Sequence, residues 1–137
     1  MKITVDTNVL ISATFWYGDS EKIIAKAENK EIELILSKDI IQEYTEVLQY
    51  PEIQDKIKDK HLNFRRPVEN IIAIATIVQP SKKLNIVKDD PDDNIILECA
   101  KEGEVDYIIS RDNHLLRLKE FEGIPIIKPE EFIKIIK

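Results

Sequence analysis

Acidic side chains carry most of the chemistry this sequence could do. Asp6 ends the run Ile3-Thr4-Val5, Glu43 sits inside LSKDIIQEYTEVL, four aspartates fall within 89–93, and Asp112 follows IISR. One carboxylate just after a strand is commonly a helix cap. Several delivered to one place are a different matter. About four negative charges in one cleft oppose folding unless cations occupy it. Oxygen donors without Cys or His suit Mg²⁺ or Mn²⁺. Such ions bind substrate phosphates, activate water and stabilise a leaving oxygen. If the acids meet, the chemistry is metal-dependent phosphodiester hydrolysis.

Whether they meet depends on the elements that hold them. Apolar runs at 2–5, 33–36, 107–109 and 125–127 are short and bounded by polar residues, as buried strands are. Helical spacing fills 38–50, 61–79, 91–102, 113–120 and 129–136. Strands alternating with helices predict an α/β fold with a mainly parallel sheet, whose sites lie at the carboxyl ends of the strands. Asp6 and Asp112 directly follow strands; Asp106 precedes one and belongs to the opposite edge. Ser37 is placed to cap the helix at 38–50. The stripe Ile40, Ile41, Tyr44, Val47 and Leu48 centres near Tyr44. Glu43 lies roughly 100° from that centre, at the border of the buried face. Asp39 and Glu46, roughly 140–160° away, should face water.

The run KDDPDDNIILECA is ambiguous. Asp90 as cap, Pro91 at the first helical position and Asp92 and Asp93 in the first turn make a sound helix start. KPEEF at 128–132 repeats the pattern of Pro and two acids with no sign of function. One acid of 90–93 is expected to join Asp6, Glu43 and Asp112, and the local pattern leaves open which.

Bulk properties narrow the setting. The 137 residues fit one domain, 1–137, with a sizeable core. A single cysteine, Cys99, allows no internal disulfide and fits a reducing cytoplasm. No apolar stretch approaches the roughly 18 residues of a membrane span, and no secretory leader pattern opens the chain, so a soluble cytoplasmic protein is expected. Abundant Ile, Lys and Glu with scarce Met resemble a thermophile's composition. Net charge is −6, which argues against indiscriminate binding to phosphate backbones. The largest local excess of cations, 56–66, offers Lys58, Lys60, Arg65 and Arg66 (with Lys56) as a strip for the RNA backbone. FWYG at 15–18 is assigned to core packing or to pairing of two subunits, with base stacking or partner contact as the alternative. His114 follows the site and is read as a surface helix residue, with substrate contact as the alternative; His61 is read as solvated and Cys99 as packing. No nucleophilic triad and no Gly-rich phosphate loop is present.

In order and spacing, DTNVLISA, LSKDIIQEYTEVL, DDPDDNIILECA, DYIISRDNHLL and GIPIIKPEEF resemble a PIN-domain protein over nearly the whole chain, of the kind described as the toxin component of toxin–antitoxin pairs. The resemblance implies a doubly wound α/β/α sandwich and Mg²⁺- or Mn²⁺-dependent ribonuclease activity. It carries the family's acids onto Asp6, Glu43, Asp93 and Asp112, with Asp93 chosen by its seven-residue spacing to Ala100. Asn8 and Ser110 take the positions of residues that orient carboxylates. The resemblance implies an RNA substrate and a cognate antitoxin protein as partners, and the apolar FWY region offers pairing with a second copy of the chain. Rival classes fit worse. A haloacid dehalogenase-type phosphatase wants a second Asp where Asn8 stands, and a receiver domain wants paired acids after the first strand. An inactive binding module is harder to exclude, yet all four acids are present; the alternative to the toxin is a PIN-type RNA-processing nuclease without an antitoxin.

Overall fold

The computed structural model describes residues 1–16, 18–56, 65–81, 83–84, 86–87 and 91–136, without the side chains of 56, 65, 66, 91 and 92. In chain order the elements are β1 (Lys2–Val5), α1 (Thr7–Phe15), α2 (Asp19–Glu28), β2 (Glu33–Ser37), α3 (Lys38–Leu48), α4 (Pro51–Lys56) and α5 (Arg65–Ile74). They continue with β3 (Ala75–Val78), α6 (Pro91–Gly103), β4 (Tyr107–Ile109), α7 (Asn113–Leu118), β5 (Glu120–Phe121), β6 (Ile124–Ile127) and α8 (Pro129–Ile135).

The strands form one sheet in the order β3-β2-β1-β4-β6-β5. All neighbours are parallel except β5, which pairs antiparallel with β6. From β1 the chain winds outward through β2 and β3, then crosses over α6 to β4 and winds the other way. β1 and β4 are therefore neighbours whose onward connections diverge, the arrangement that opens a crevice at the carboxyl edge of an α/β sheet.

Burial explains the strand sequences. Ile3, Thr4 and Val5 are all fully buried, so β1 reads as a continuous apolar run rather than an alternation. On α3, Ile40, Tyr44 and Leu48 recur every four residues and are buried, while Asp39 and Glu46 are exposed. The Tyr44 hydroxyl keeps a partner in Thr14 Oγ1 at 2.5 Å, tying α3 to α1. Helix α6 packs against β1, β2, β3 and β4. It does so closely: a Cβ on Gly103 would meet Ile35 Cγ2 at 2.5 Å, so the end of α6 can approach β2 only without a side chain there.

Three side chains on α6 also clamp the segment before it. Glu102 accepts from Ser81 N at 2.8 Å, Glu98 from Leu84 N at 2.8 Å, and Asn94 Oδ1 from Ile86 N and Val87 N at 2.9 Å. Asn94 Nδ2 returns a bond to Val87 O at 2.9 Å. The segment thus runs antiparallel to α6, and acids or amides spaced four apart satisfy backbone that no strand pairs.

One sequence expectation is corrected. The helix expected over 61–79 is α5 at Arg65–Ile74 followed directly by strand β3 at Ala75–Val78. Thr76, Ile77 and Val78 are β-branched, and Gln79 precedes Pro80, which disfavours helix at that point. Pairing with β2 from Leu34↔Ala75 to Ser37↔Val78 decides it. The apolar spacing of Ile71, Ile74 and Val78 imitated a longer helix.

Candidate active site

Asp6 leaves β1 beside the end of β4. Its N–H donates to Ile109 O at 3.1 Å, extending the β1–β4 ladder past Val5↔Ile109. Its two carboxylate oxygens divide their roles. Oδ1 accepts from Val9 N at 2.9 Å and caps α1. Oδ2 accepts from the Ser110 hydroxyl, and from Arg111 N at 3.3 Å. Cap and site are therefore not alternatives here, because a carboxylate has lone pairs for both.

Ser110 is fully buried and joins the two strand ends. Its N–H donates to Ile127 O at 2.9 Å, and its Oγ accepts from Asp112 N at 2.9 Å while donating to Asp6. One hydroxyl thus sets the position of Asp6 and of the backbone that carries Asp112. Asp112 caps α7, its Oδ1 accepting from His114 N at 2.7 Å and Leu115 N at 3.3 Å.

Asp93, in the first turn of α6, is 7 % exposed. Its Oδ2 lies 3.8 Å from His114 Nδ1, which lies 3.7 Å from Asp112 Oδ1. Asp93, Asp112 and His114 each offer a donor atom within 4.8 Å of the other two, and among the described residues this is the one such group of three or more. Asp6 is 5 % exposed, and burial pushes its carboxyl up from the usual carboxylate range. The bonds from Ser110, Val9 and Arg111 oppose that rise, and the charge of Asp112 adds to it.

The expected residues fall out as follows. Asp6, Ser110 and Asp112 are linked by hydrogen bonds, and Asp93 approaches Asp112 through His114. Glu43 is half-buried and stands outside that group. It lines a groove of about 470 Å³ between α3 and α6 with Glu46, Asn94 and Glu98. Asn94 immediately follows Asp93, so the groove reaches the shoulder of the cluster. Asn8 is exposed in the first turn of α1, whose buried face is Thr7, Val9, Leu10 and Ile11. Asp6 is oriented by the expected Ser110 and by the amides of Val9 and Arg111. Lys58, Lys60, His61 and Asp90 lie outside the described residues, as do the side chains of Arg65, Arg66 and Asp92. Cys99 is buried against Thr4 Oγ1 at 3.6 Å, and burial pushes its thiol up to about 11.

Sequence reasoning set His114 on a helix surface, whereas its Nδ1 is turned into the acid cluster. The available signal was position: a residue two after a capping Asp starts the same helix turn and faces the same sheet edge. A second surprise is Glu130. Its helix α8 starts after β6, which is parallel to β4, so KPEEF also opens at the carboxyl edge. Glu130 pairs with Arg111 at 3.2 Å.

The donor set fits a divalent cation. Two carboxylates and an imidazole nitrogen converge, and among the described residues His114 Nδ1 is buried with no hydrogen-bond partner. Sheet and switch point define a doubly wound α/β domain with clustered acids at its carboxyl edge. Residues 2–114 match the PIN domain family, and the chain belongs to that family. No curated protein matches the chain. The crystal structure of PAE2754 from Pyrobaculum aerophilum is similar in fold, with a TM-score of 0.66 and 13 % identity over 99 % of this chain and 89 % of that one. Among the described residues no helix is long and apolar enough to cross a membrane.

Proposed function

We propose that the protein is a Mg²⁺- or Mn²⁺-dependent ribonuclease hydrolysing RNA phosphodiester bonds, and that it acts as the toxin of a toxin–antitoxin pair. The observation that carries the reading is the approach of Asp93 and Asp112 at the divergence of β1 and β4, with Asp6 tied in through Ser110. Asp93 and Asp112 would hold the cation, with Asp6 and Glu43 as the further acids of the site. When bound, the cation supplies Lewis-acid activation of water and neutralises phosphate charge. Ser110 and the amides of Val9 and Arg111 hold Asp6 rigid, so no side-chain ordering remains to be done when substrate arrives. Asp112 is fixed the same way by two amides of α7.

Substrate must be held by other surfaces. Among the described residues, the groove beside Glu43 also carries Asp39, Glu46 and Glu98 against Lys83, a field that repels phosphates. We assign the RNA backbone to the strip of Lys58, Lys60, Arg65 and Arg66, and expect an antitoxin and a second subunit as protein partners. Incubating single-stranded RNA with the protein in Mg²⁺ or Mn²⁺ tests the reading. Cleavage that stops in excess EDTA supports it. Cleavage that persists in EDTA, or phosphate release from small phosphoesters without RNA cleavage, contradicts it. Neutralising the four basic residues together should weaken RNA binding and flatten its salt dependence. An unchanged salt slope would move the substrate path elsewhere.

A further inference from the structure

We propose that His114 Nδ1 is a nitrogen ligand of the cation site and gives it a preference for Mn²⁺ over Mg²⁺. The inference rests on the reading above that Asp93 and Asp112 bind a divalent cation. The backbone of His114 is pinned by its bond to Asp112 Oδ1, so the ring has a fixed origin beside that carboxylate. The side chain as a whole is 39 % exposed, yet Nδ1 itself is buried. One edge of the ring therefore faces the acids and the other faces solvent.

The spacing discriminates between two roles. An imidazolium paired directly with a carboxylate brings nitrogen and oxygen to about 2.7–2.9 Å. Here Nδ1 stands nearly equidistant from two carboxylates, at 3.7 and 3.8 Å, beyond hydrogen-bond range of both. Both separations are under about 4.2 Å, twice a typical metal–ligand bond of roughly 2.1 Å. A single ion can therefore span either pair of donors. The acids approach the ring without closing on it, as donors do around a shared cation.

The choice of ion follows from the donor chemistry. Mg²⁺ takes oxygen ligands and gives up its waters reluctantly. Imidazole adds little for Mg²⁺ but strengthens binding of transition ions, while carboxylates suit Mn²⁺ as well. Two carboxylates with one imidazole thus favour Mn²⁺ more strongly than an all-acid site would.

Pulsed EPR of Mn²⁺ bound to the full chain reads the ligand directly. The wild type should show coupling from an imidazole ¹⁴N, and His114→Ala should lose it. The chain has only two histidines, so that variant assigns the signal. Titration at pH 8 should show His114→Ala weakening Mn²⁺ about 10- to 100-fold and Mg²⁺ less than about threefold, the range typical of groups that tune a metal site. If His114 served only as a counter-cation, removing it would instead tighten both ions, and the inference would fail. Bound Mn²⁺ without ¹⁴N coupling, or an unchanged ratio of Mn²⁺ to Mg²⁺ affinity in the variant, also overturns it. A wild type that binds neither ion contradicts the metal-site reading itself, a separate failure.

Discussion

Two helix starts in this molecule look alike in sequence and differ in what they do. Pro91-Asp92-Asp93 opens α6 and Pro129-Glu130-Glu131 opens α8, each a proline followed by two acids, and each at the carboxyl edge of the sheet. At the third position Asp93 is buried against His114, whereas Glu131 is exposed. At the second position of α8, Glu130 makes a surface pair with Arg111. The difference lies in what each start faces. Helix α6 lies across β1 to β4 and brings its first turn over the point where those strands diverge. Helix α8 follows β6, one strand further out, and its start meets the cationic Arg111 through Glu130 rather than a second acid. A helix start becomes a site by topology; its local pattern is the same in both places.

That contrast can be broken by substitution. The largest effect is expected for Asp93→Asn or Asp112→Asn, which should weaken Mn²⁺ binding by at least about 100-fold. Glu131→Gln, the matched change on α8, should leave it unchanged in the same titration. A large loss in Glu131→Gln would mean that general surface charge, not the switch point, holds the ion. Next in size is thermal stabilisation. At a Mn²⁺ concentration 100 times Kd the wild type should gain about 2.7 kcal/mol. Differential scanning calorimetry should show that gain kept in Glu131→Gln and lost in Asp93→Asn.

A smaller effect of opposite sign is expected without metal. Burial raises the Asp6 carboxyl above its unfolded value, so ionising it costs more in the folded chain than in the unfolded one. Metal-free stability should therefore fall as pH rises from near 3.9 through the folded value, with the full cost present above it. Asp6→Asn removes that cost, so its melting temperature should gain on that of wild type as pH rises toward 8 in EDTA. The gain should shrink toward pH 4, and a gain that grows instead would put the rise in the wrong group. The smallest effect belongs to α8: Glu130→Gln should cost less than about 1 kcal/mol, because both partners of the Arg111 pair are over 40 % exposed.

Much of this was legible in the chain. Asp6 and Asp112 announce themselves because each ends a buried apolar run, and a parallel sheet puts those ends together. Glu43 was placed at the border of a buried helical face, and it is half-buried. What periodicity could not give was β3, where Ile71, Ile74 and Val78 keep a helical spacing while the pairing of 75–78 with β2 governs the backbone. Nor could it give the direction of His114, since a half-exposed ring on a six-residue helix has no face to read from spacing. The amides of Val9 and Arg111 that also hold Asp6 are advertised by no residue pattern.

The most direct test of the account compares the two helix starts as catalysts. Single-stranded RNA is incubated with wild type, Asp93→Asn and Glu131→Gln in saturating Mn²⁺, and initial cleavage rates are measured after folding is checked by circular dichroism. The account predicts a loss of about a thousandfold or more in Asp93→Asn, roughly 4 kcal/mol of barrier, and a rate within about twofold of wild type in Glu131→Gln, as for a surface substitution. Asp93→Asn cleaving at the wild-type rate would contradict it.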